Sequence, residues 1–160
     1  MPDTIPIDDR ERTARQAWLA VLAKASLAEL EAAWEGLAEK PAYRCLRPGE
    51  TGLVMLRGRI GGTGQPFNLG EMTMTRAAVQ LLDAAGQVSH AGFGHVAGRS
   101  TRRAELVALF DAMLQDPSRH EVIAAELVAP LAARQLAAKA AHSVKIMASK
   151  VDFFTMVRGE

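Results

Sequence analysis

Apolar residues recur at helical spacing toward both ends of the chain and alternate with polar ones in its middle. From Arg10 to Ala25, Trp18, Leu22 and Ala25 follow an i, i+4, i+7 spacing with Val21 beside them, which predicts an amphipathic helix. The next four residues, SLAE at 26–29, form a Ser-x-x-Glu capping box, which satisfies two orphan amides at a helix start. The second helix is predicted to run to about Lys40, with Leu30, Ala33, Trp34 and Leu37 inward and Pro41 as its stop. Two helices this close in sequence predict an antiparallel hairpin.

The period then changes to two. In TGLVMLRGRI at 51–60, Val54, Leu56, Gly58 and Ile60 share one strand face, and Arg57 and Arg59 fall on the other. PFNLGEMTMT at 66–75 reads as the partner strand. Its inward set switches at Gly70, from Phe67 and Leu69 to Met72 and Met74, as a one-residue bulge would produce. TRAAVQLLDAAG at 75–86 reads as a short inserted helix, with Thr75 as N-cap and Gly86 just past its end. QVSHAGFGHVAGR at 87–99 reads as a third strand, with glycines where another element packs close.

Helical spacing returns after Ser100, a candidate N-cap. Leu106, Leu109, Phe110, Met113 and Leu114 form an apolar stripe. A second Ser-x-x-Glu box, Ser118 to Glu121, restarts the helix, and Pro130 interrupts it. A last helix is expected over about 131–150. Its residues Ala133, Leu136, Ala137, Ala140, Val144, Met147 and Val151 form a seam spaced for close helix–helix packing. The tail VDFFTMVRGE is apolar enough to pack on the domain or on a partner, so Phe153, Phe154, Met156 and Arg158 are partner-interface candidates. The resulting fold class is α+β: an N-terminal helical hairpin, a small antiparallel sheet with an inserted helix, C-terminal helices and an apolar tail. Residues 1–9 read as a flexible lead-in and 10–160 as a single domain, a size that supports a real core.

Composition adds little to this picture. Of the 160 residues, 49% are apolar and 23% charged, as in ordinary globular chains. A formal net charge of +1 makes no case for a nucleic-acid binder. The distribution is polarised: residues 1–40 hold five Lys/Arg against eight Asp/Glu, and residues 131–160 hold five against two. Such asymmetry suits an oriented partner or two solvated helix faces. No apolar run approaches the ~20 residues of a membrane helix, and the first ten residues lack the regions of a signal peptide. Cys45 is the sole cysteine, so no internal disulfide forms; it reads as a small packed residue, and the expected location is the cytoplasm.

The run GRIGGTG at 58–64 tests for phosphate chemistry. It lacks the Gly-Lys-Ser/Thr ending of a P-loop, and Pro66 stands where a dinucleotide fingerprint needs a helix. As a hairpin turn it works well, because Gly61, Gly62 and Gly64 adopt positive φ cheaply. A weaker option is an anion nest in this turn, with Arg57, Arg59 and Arg76 converging on it. These six residues are therefore the ligand- or partner-contact candidates. The four histidines have no metal-site spacing, and His90 and His95, five apart on a strand, point to opposite faces. There is no nucleophile elbow. Catalytic residues stay unassigned, and the residues themselves describe a binding or assembly module.

Three stretches carry a resemblance. ETGLVMLRGRIGGTGQPFNLGEMTMTRAAVQL at 50–81, HVAGRSTRRAELVALFDAM at 95–113 and KVDFFTMVRGE at 150–160 resemble the G subunit family of the carbon–phosphorus lyase system, as does RQAWLAVLA at 15–23. The resemblance spans nearly the whole chain. It implies a subunit that works with the I, H and L subunits in the step where an alkylphosphonate displaces adenine from C1′ of ATP. The product of that step is α-D-ribose 1-alkylphosphonate 5-triphosphate. It further implies a multimeric core complex that includes the J subunit, the radical enzyme that later cleaves the carbon–phosphorus bond. ATP is then a co-substrate of the complex, the G subunit carries no metal or prosthetic group, and its role is mainly structural. The alternative is a free-standing anion or small-molecule binding domain without enzyme activity.

Overall fold

A strand of small residues sets the architecture, because it lets a helix lie directly on the sheet. The computed structural model describes residues 9–148, with side chains from 13 to 147. Its elements are α1 (Asp9–Leu22), α2 (Leu27–Glu35), β1 (Tyr43–Arg59), β2 (Pro66–Leu82), β3 (Val88–Ala97), α3 (Thr101–Leu114), α4 (Pro117–Ile123) and α5 (Ala129–Ala148). The three strands form one antiparallel sheet in the order β1-β2-β3. An α+β fold follows, as expected.

Helix α3 packs on the sheet at Gly92 and Gly94. A Cβ on Gly92 would run into the Ala108 carbonyl oxygen and lie 2.7 Å from the Ala112 nitrogen. One on Gly94 would meet the Ala104 carbonyl oxygen and lie 2.9 Å from the Ala108 nitrogen. Glycines on β3 and alanines on α3 therefore bring two backbones into contact. The register pairs Gly92 with Val79, Gly94 with Ala77 and Val96 with Thr75, so these rungs make one sheet face under the helix. The outer side of α3 is closed by α1, α2 and α4. Every residue from Leu106 to Leu114 is consequently buried, where the expectation was a one-sided stripe. Full burial of one Leu, Phe or Met is worth about 1.5–3 kcal/mol, so α3 is the main source of apolar stabilisation.

One buried charge sits in this core. Asp111 has a fully buried side chain and receives four hydrogen bonds. Arg15 donates through Nε (3.1 Å) and Nη2 (2.6 Å), Trp18 through Nε1 (2.9 Å) and Phe93 through its backbone nitrogen (2.9 Å). Arg15 Nη2 also reaches the Ala91 carbonyl oxygen at 3.3 Å. The cluster ties α1 to α3 and satisfies polar groups along the free edge of β3, which is otherwise open to foreign strands.

Several local expectations hold. Ser26 and Glu29 form the complete capping box, with Ser26 N donating to Glu29 Oε2 at 2.7 Å. Ser100 caps α3. Leu22, Ala25, Leu30 and Trp34 are core residues. A register shift lies opposite Leu56 and Arg57, leaving Leu69 as the extra residue beside Gly70, whose φ is 147°.

Other expectations are corrected. Residues 75–82 are not an inserted helix but the inner half of β2, and Thr75 is a buried strand residue, not a cap. Alanine and leucine lend this segment helical propensity, but pairing on both sides decides its conformation. Gly86, at φ 74°, serves the β2–β3 turn. Helix α2 stops at Gly36 instead of reaching Lys40. The first two helices pack chiefly on α3 and α5 rather than as a hairpin with each other. Asp116, not Ser118, caps α4: its carboxylate accepts from Ser118 N at 2.9 Å, and Pro117 follows at the first helical position. Pro130 does not break the path, because a π-helical turn over Ala124–Val128 leads from α4 into α5. The α5 seam is packed only at its start, near Leu131; Leu136, Val144 and Met147 are exposed. Cys45 is exposed rather than packed. Val151 and the tail lie outside the described residues. No described helix is long and apolar enough to cross a membrane.

The glycine seat gives a direct test. Gly94→Ala should cost about 3 kcal/mol or more by forcing α3 off the sheet. Gly52→Ala, with nothing within 4 Å of its Cβ position, should change stability by less than about 0.5 kcal/mol. Urea denaturation of both variants measures the contrast.

Candidate functional site

Helix α3 covers one face of the sheet over the inner rungs. The opposite face is open, and two kinds of surface result. Near the centre, Arg76 and Glu50 occupy one rung and form an ion pair at 2.5 Å, and Arg47 adds a second contact to Glu50 at 3.1 Å. The hydrogen bond from Arg76, then the charges of Arg76 and Arg47, hold the Glu50 carboxyl below the usual carboxylate range. Shallow depressions of about 330 and 390 Å³ flank Arg76, lined by Val54 and Met74 on one side and by Leu46, Phe93 and His95 on the other. Arg47 and Arg76 share the single Glu50 carboxylate, so the cluster keeps a net charge of +1 while its one acid is fully paired. Set between apolar residues, it suits contact with another protein surface.

Farther out, the ladder loses its third strand. β3 pairs with β2 only from Met74 inward, so residues 53–73 continue as a two-stranded arm. Its turn contains Gly61 (φ 61°) and Gly62 (φ 79°), and Gly64 N donates to the Ile60 carbonyl oxygen at 3.0 Å. GRIGGTG is therefore a hairpin turn. Arg57 and Arg59 stand side by side on one arm face, opposite Asn68 and Pro66. Arg59 Nη1 donates to the Gly64 carbonyl oxygen at 3.0 Å and braces the turn. Arg57 has no hydrogen bond or ion pair among the described residues.

The expected convergence of Arg57, Arg59 and Arg76 does not occur. Arg57 is seven residues along β1 from the Glu50–Arg76 rung, about 20 Å at strand rise. It also points to the other face, because an odd step along a strand inverts the side chain. Phe153, Phe154, Met156 and Arg158 lie outside the described residues.

A third cluster escaped sequence reasoning. Tyr43 donates to Glu105 Oε1 at 2.9 Å, and Arg102 donates to Glu105 Oε2 at 3.0 Å and to Glu31 Oε1 at 3.1 Å. The four side chains join β1, α3 and α2. Arg102 and Glu105 border a cleft of about 360 Å³ that includes Cys45, Pro48 and Gly49. Gly49 lets the bulged edge strand touch the start of α3, where a Cβ would lie 2.7 Å from Thr101 Cβ. Only the Arg102–Glu105 spacing was visible in sequence; Tyr43 is 62 residues away from its partner.

Tyr43 provides a clean titration, being the only tyrosine. Burial, then the hydrogen bond and negative charge of Glu105, raise its pKa above the ordinary tyrosine value of 10.0. The stability contributed by its neutral hydroxyl is intact below about 10 and is lost as pH climbs through the raised folded value. Tyrosinate absorbance should rise with a midpoint above 10, and Glu105→Gln should lower that midpoint.

Two comparisons bear on these surfaces. The family described as phosphonate metabolism protein PhnG matches residues 13–159. The alpha-D-ribose 1-methylphosphonate 5-triphosphate synthase subunit PhnG of Rhizobium meliloti (strain 1021) is 44% identical over 153 residues, covering 96% of this chain and 94% of that protein. The chain belongs to the PhnG family of phosphonate metabolism proteins.

Proposed function

We propose that this chain is the G subunit of an assembly that makes α-D-ribose 1-alkylphosphonate 5-triphosphate. In that reaction an alkylphosphonate oxygen bonds to C1′ of ATP as the bond to adenine breaks. The 44% identity to a synthase subunit across 96% of the chain carries this reading. The I, H and L subunits are the partners for this step, and the J subunit belongs to the same core. The chain itself needs no metal or prosthetic group, and ATP enters as a co-substrate of the complex.

Its role within the assembly is structural. Among the described residues, Arg47, Glu50 and Arg76 pair with one another on the open sheet face. Among the described residues, large apolar side chains including Leu53, Leu69, Leu136 and Val144 stay exposed, as surface that a partner would cover. A free-standing anion-binding domain would instead bring Arg76 together with Arg57 and Arg59, which stand side by side at the far end of the arm.

Expressed alone, the chain should self-associate or be poorly soluble. Co-expression with the I subunit should yield a discrete complex in gel filtration. Within the assembled enzyme, Arg76→Ala should leave kcat/KM for ribosyl transfer within about twofold, whereas loss of a charge-assisted substrate contact would cost roughly tenfold or more. A well-behaved monomer that ignores the I subunit, or binds ATP tightly by itself, would overturn this reading.

A further inference from the structure

The two-stranded arm over 53–73 has no means of stabilising itself. An isolated hairpin is marginal in water, and stable strands need a third neighbour or a covering layer. Here neither exists among the described residues. β3 ends opposite Met74, and α3 covers only the rungs from Thr75 inward.

Yet the arm is strongly apolar on both faces. One face carries Val54, Leu56, Phe67 and Met72, with Leu69 folded over Gly58. The other carries Leu53 and Met55, opposite Thr73 and Glu71. Leu53 and Leu69 are each 62% exposed and Ile60 is 76% exposed. Such a ribbon standing in water would be an aggregation site.

Charge says what covers it. Along the outer arm, from Leu56 to Gly70, there are two arginines and no acidic residue. Arg57 and Arg59 lie two apart on one face, so their guanidinium groups project to the same side just beyond Leu53 and Met55. Arg59 spends one N–H on the Gly64 carbonyl, which brings no neutralising charge, and Arg57 has no partner among the described residues. The face is thus mixed at its base, where Glu71 stands opposite Met55 and Arg99 lies beside Leu53, and basic at its tip.

We propose that this arm inserts between the walls of another protein subunit, into an apolar groove that ends in carboxylates meeting Arg57 and Arg59. The inference rests on the subunit reading above and names the surface that reading leaves open. Apolar residues on both faces call for a groove with two walls. Planar guanidinium groups pair bidentately with carboxylates, and such pairs fix the depth of insertion as well as contributing affinity. A second copy of this chain is a poor occupant, because an identical arm would bring its own arginines against these.

The test uses the complex of this chain co-expressed with the I, H, J and L subunits. A photo-reactive phenylalanine analogue replaces Phe67, and the cross-linked chain is identified by mass spectrometry. In parallel, Arg57→Glu/Arg59→Glu and Val122→Glu are compared for co-purification. Val122 is an exposed apolar residue on α4, away from the arm. Near-unchanged circular dichroism confirms that each variant folds. The expected result is a cross-link to a different subunit, within reach of acidic residues. The arginine double variant should lose at least tenfold in recovered complex, and Val122→Glu should lose little. A cross-link to a second copy of this chain, or none at all, would overturn the proposal, as would equal recovery of the double variant and wild type. So would equal losses by the double variant and Val122→Glu. Failure of the wild-type chain to co-purify at all would instead sink the subunit reading itself.

Discussion

Everything in this fold depends on the contact between α3 and the two glycines of β3. Backbone meets backbone there, so the helix axis lies closer to the sheet than any side chain would permit. That closeness is what allows Ala104, Ala108 and Ala112 to seal the interface without leaving a void. It also brings Asp111 within reach of the β3 edge, where its carboxylate accepts from Phe93 N while Arg15 and Trp18 close over it. A buried carboxylate is costly unless fully paired, and losing one partner of such a pair typically costs about 3–5 kcal/mol. The glycine seat therefore supplies both the apolar core and the geometry in which its one buried charge is tolerable.

The same contact sets a boundary. α3 is short relative to the strands below it, so the core closes at the Thr75 rung. There Thr75 Oγ1 donates to the Gly98 carbonyl oxygen at 2.7 Å and meets Thr51 Oγ1 at 2.9 Å. Beyond that polar rung, β1 and β2 continue without cover. This chain exposes an apolar ribbon with a basic tip, and the uncovered stretch of α5 adds another apolar surface. Both features are those of a subunit whose fold is completed by its neighbours.

Local signals were legible in the sequence where a few adjacent residues decide the outcome. The capping box at Ser26 and Glu29, the cap at Ser100, the Gly61–Gly62 turn and the bulge beside Gly70 all belong to this class. The glycines of the third strand also announced a close approach, though not by which element. Non-local decisions were harder. Residues 75–82 carry helix-forming alanines and leucines, and Ala77, Ala78, Val79 and Leu81 are all buried, which blurs a period of two. Their strand state comes from pairing with β1 and β3. The separation of Arg57 from Arg76 depends on register, which no count along the chain reveals. Asp111 was readable in principle: an aspartate inside LVALFDAML demands a buried partner. That the partner is Arg15, 96 residues earlier, is a fact of the tertiary fold. The tie between Tyr43 and Glu105 is of the same kind.

On the arm proposal, the chain has a self-sufficient core ending at the Thr75 rung and an arm that acquires its stability from a partner. Amide hydrogen exchange, followed residue by residue in the free chain and in the assembled complex, measures this directly. In the free chain, amides of α3 and β3 should exchange only through global unfolding, while those of 53–72 exchange orders of magnitude faster. Assembly should slow the arm to nearly the rate of the core and leave the core unchanged. Arm amides already as protected as α3 in the free chain, or as fast in the complex as outside it, would contradict the account.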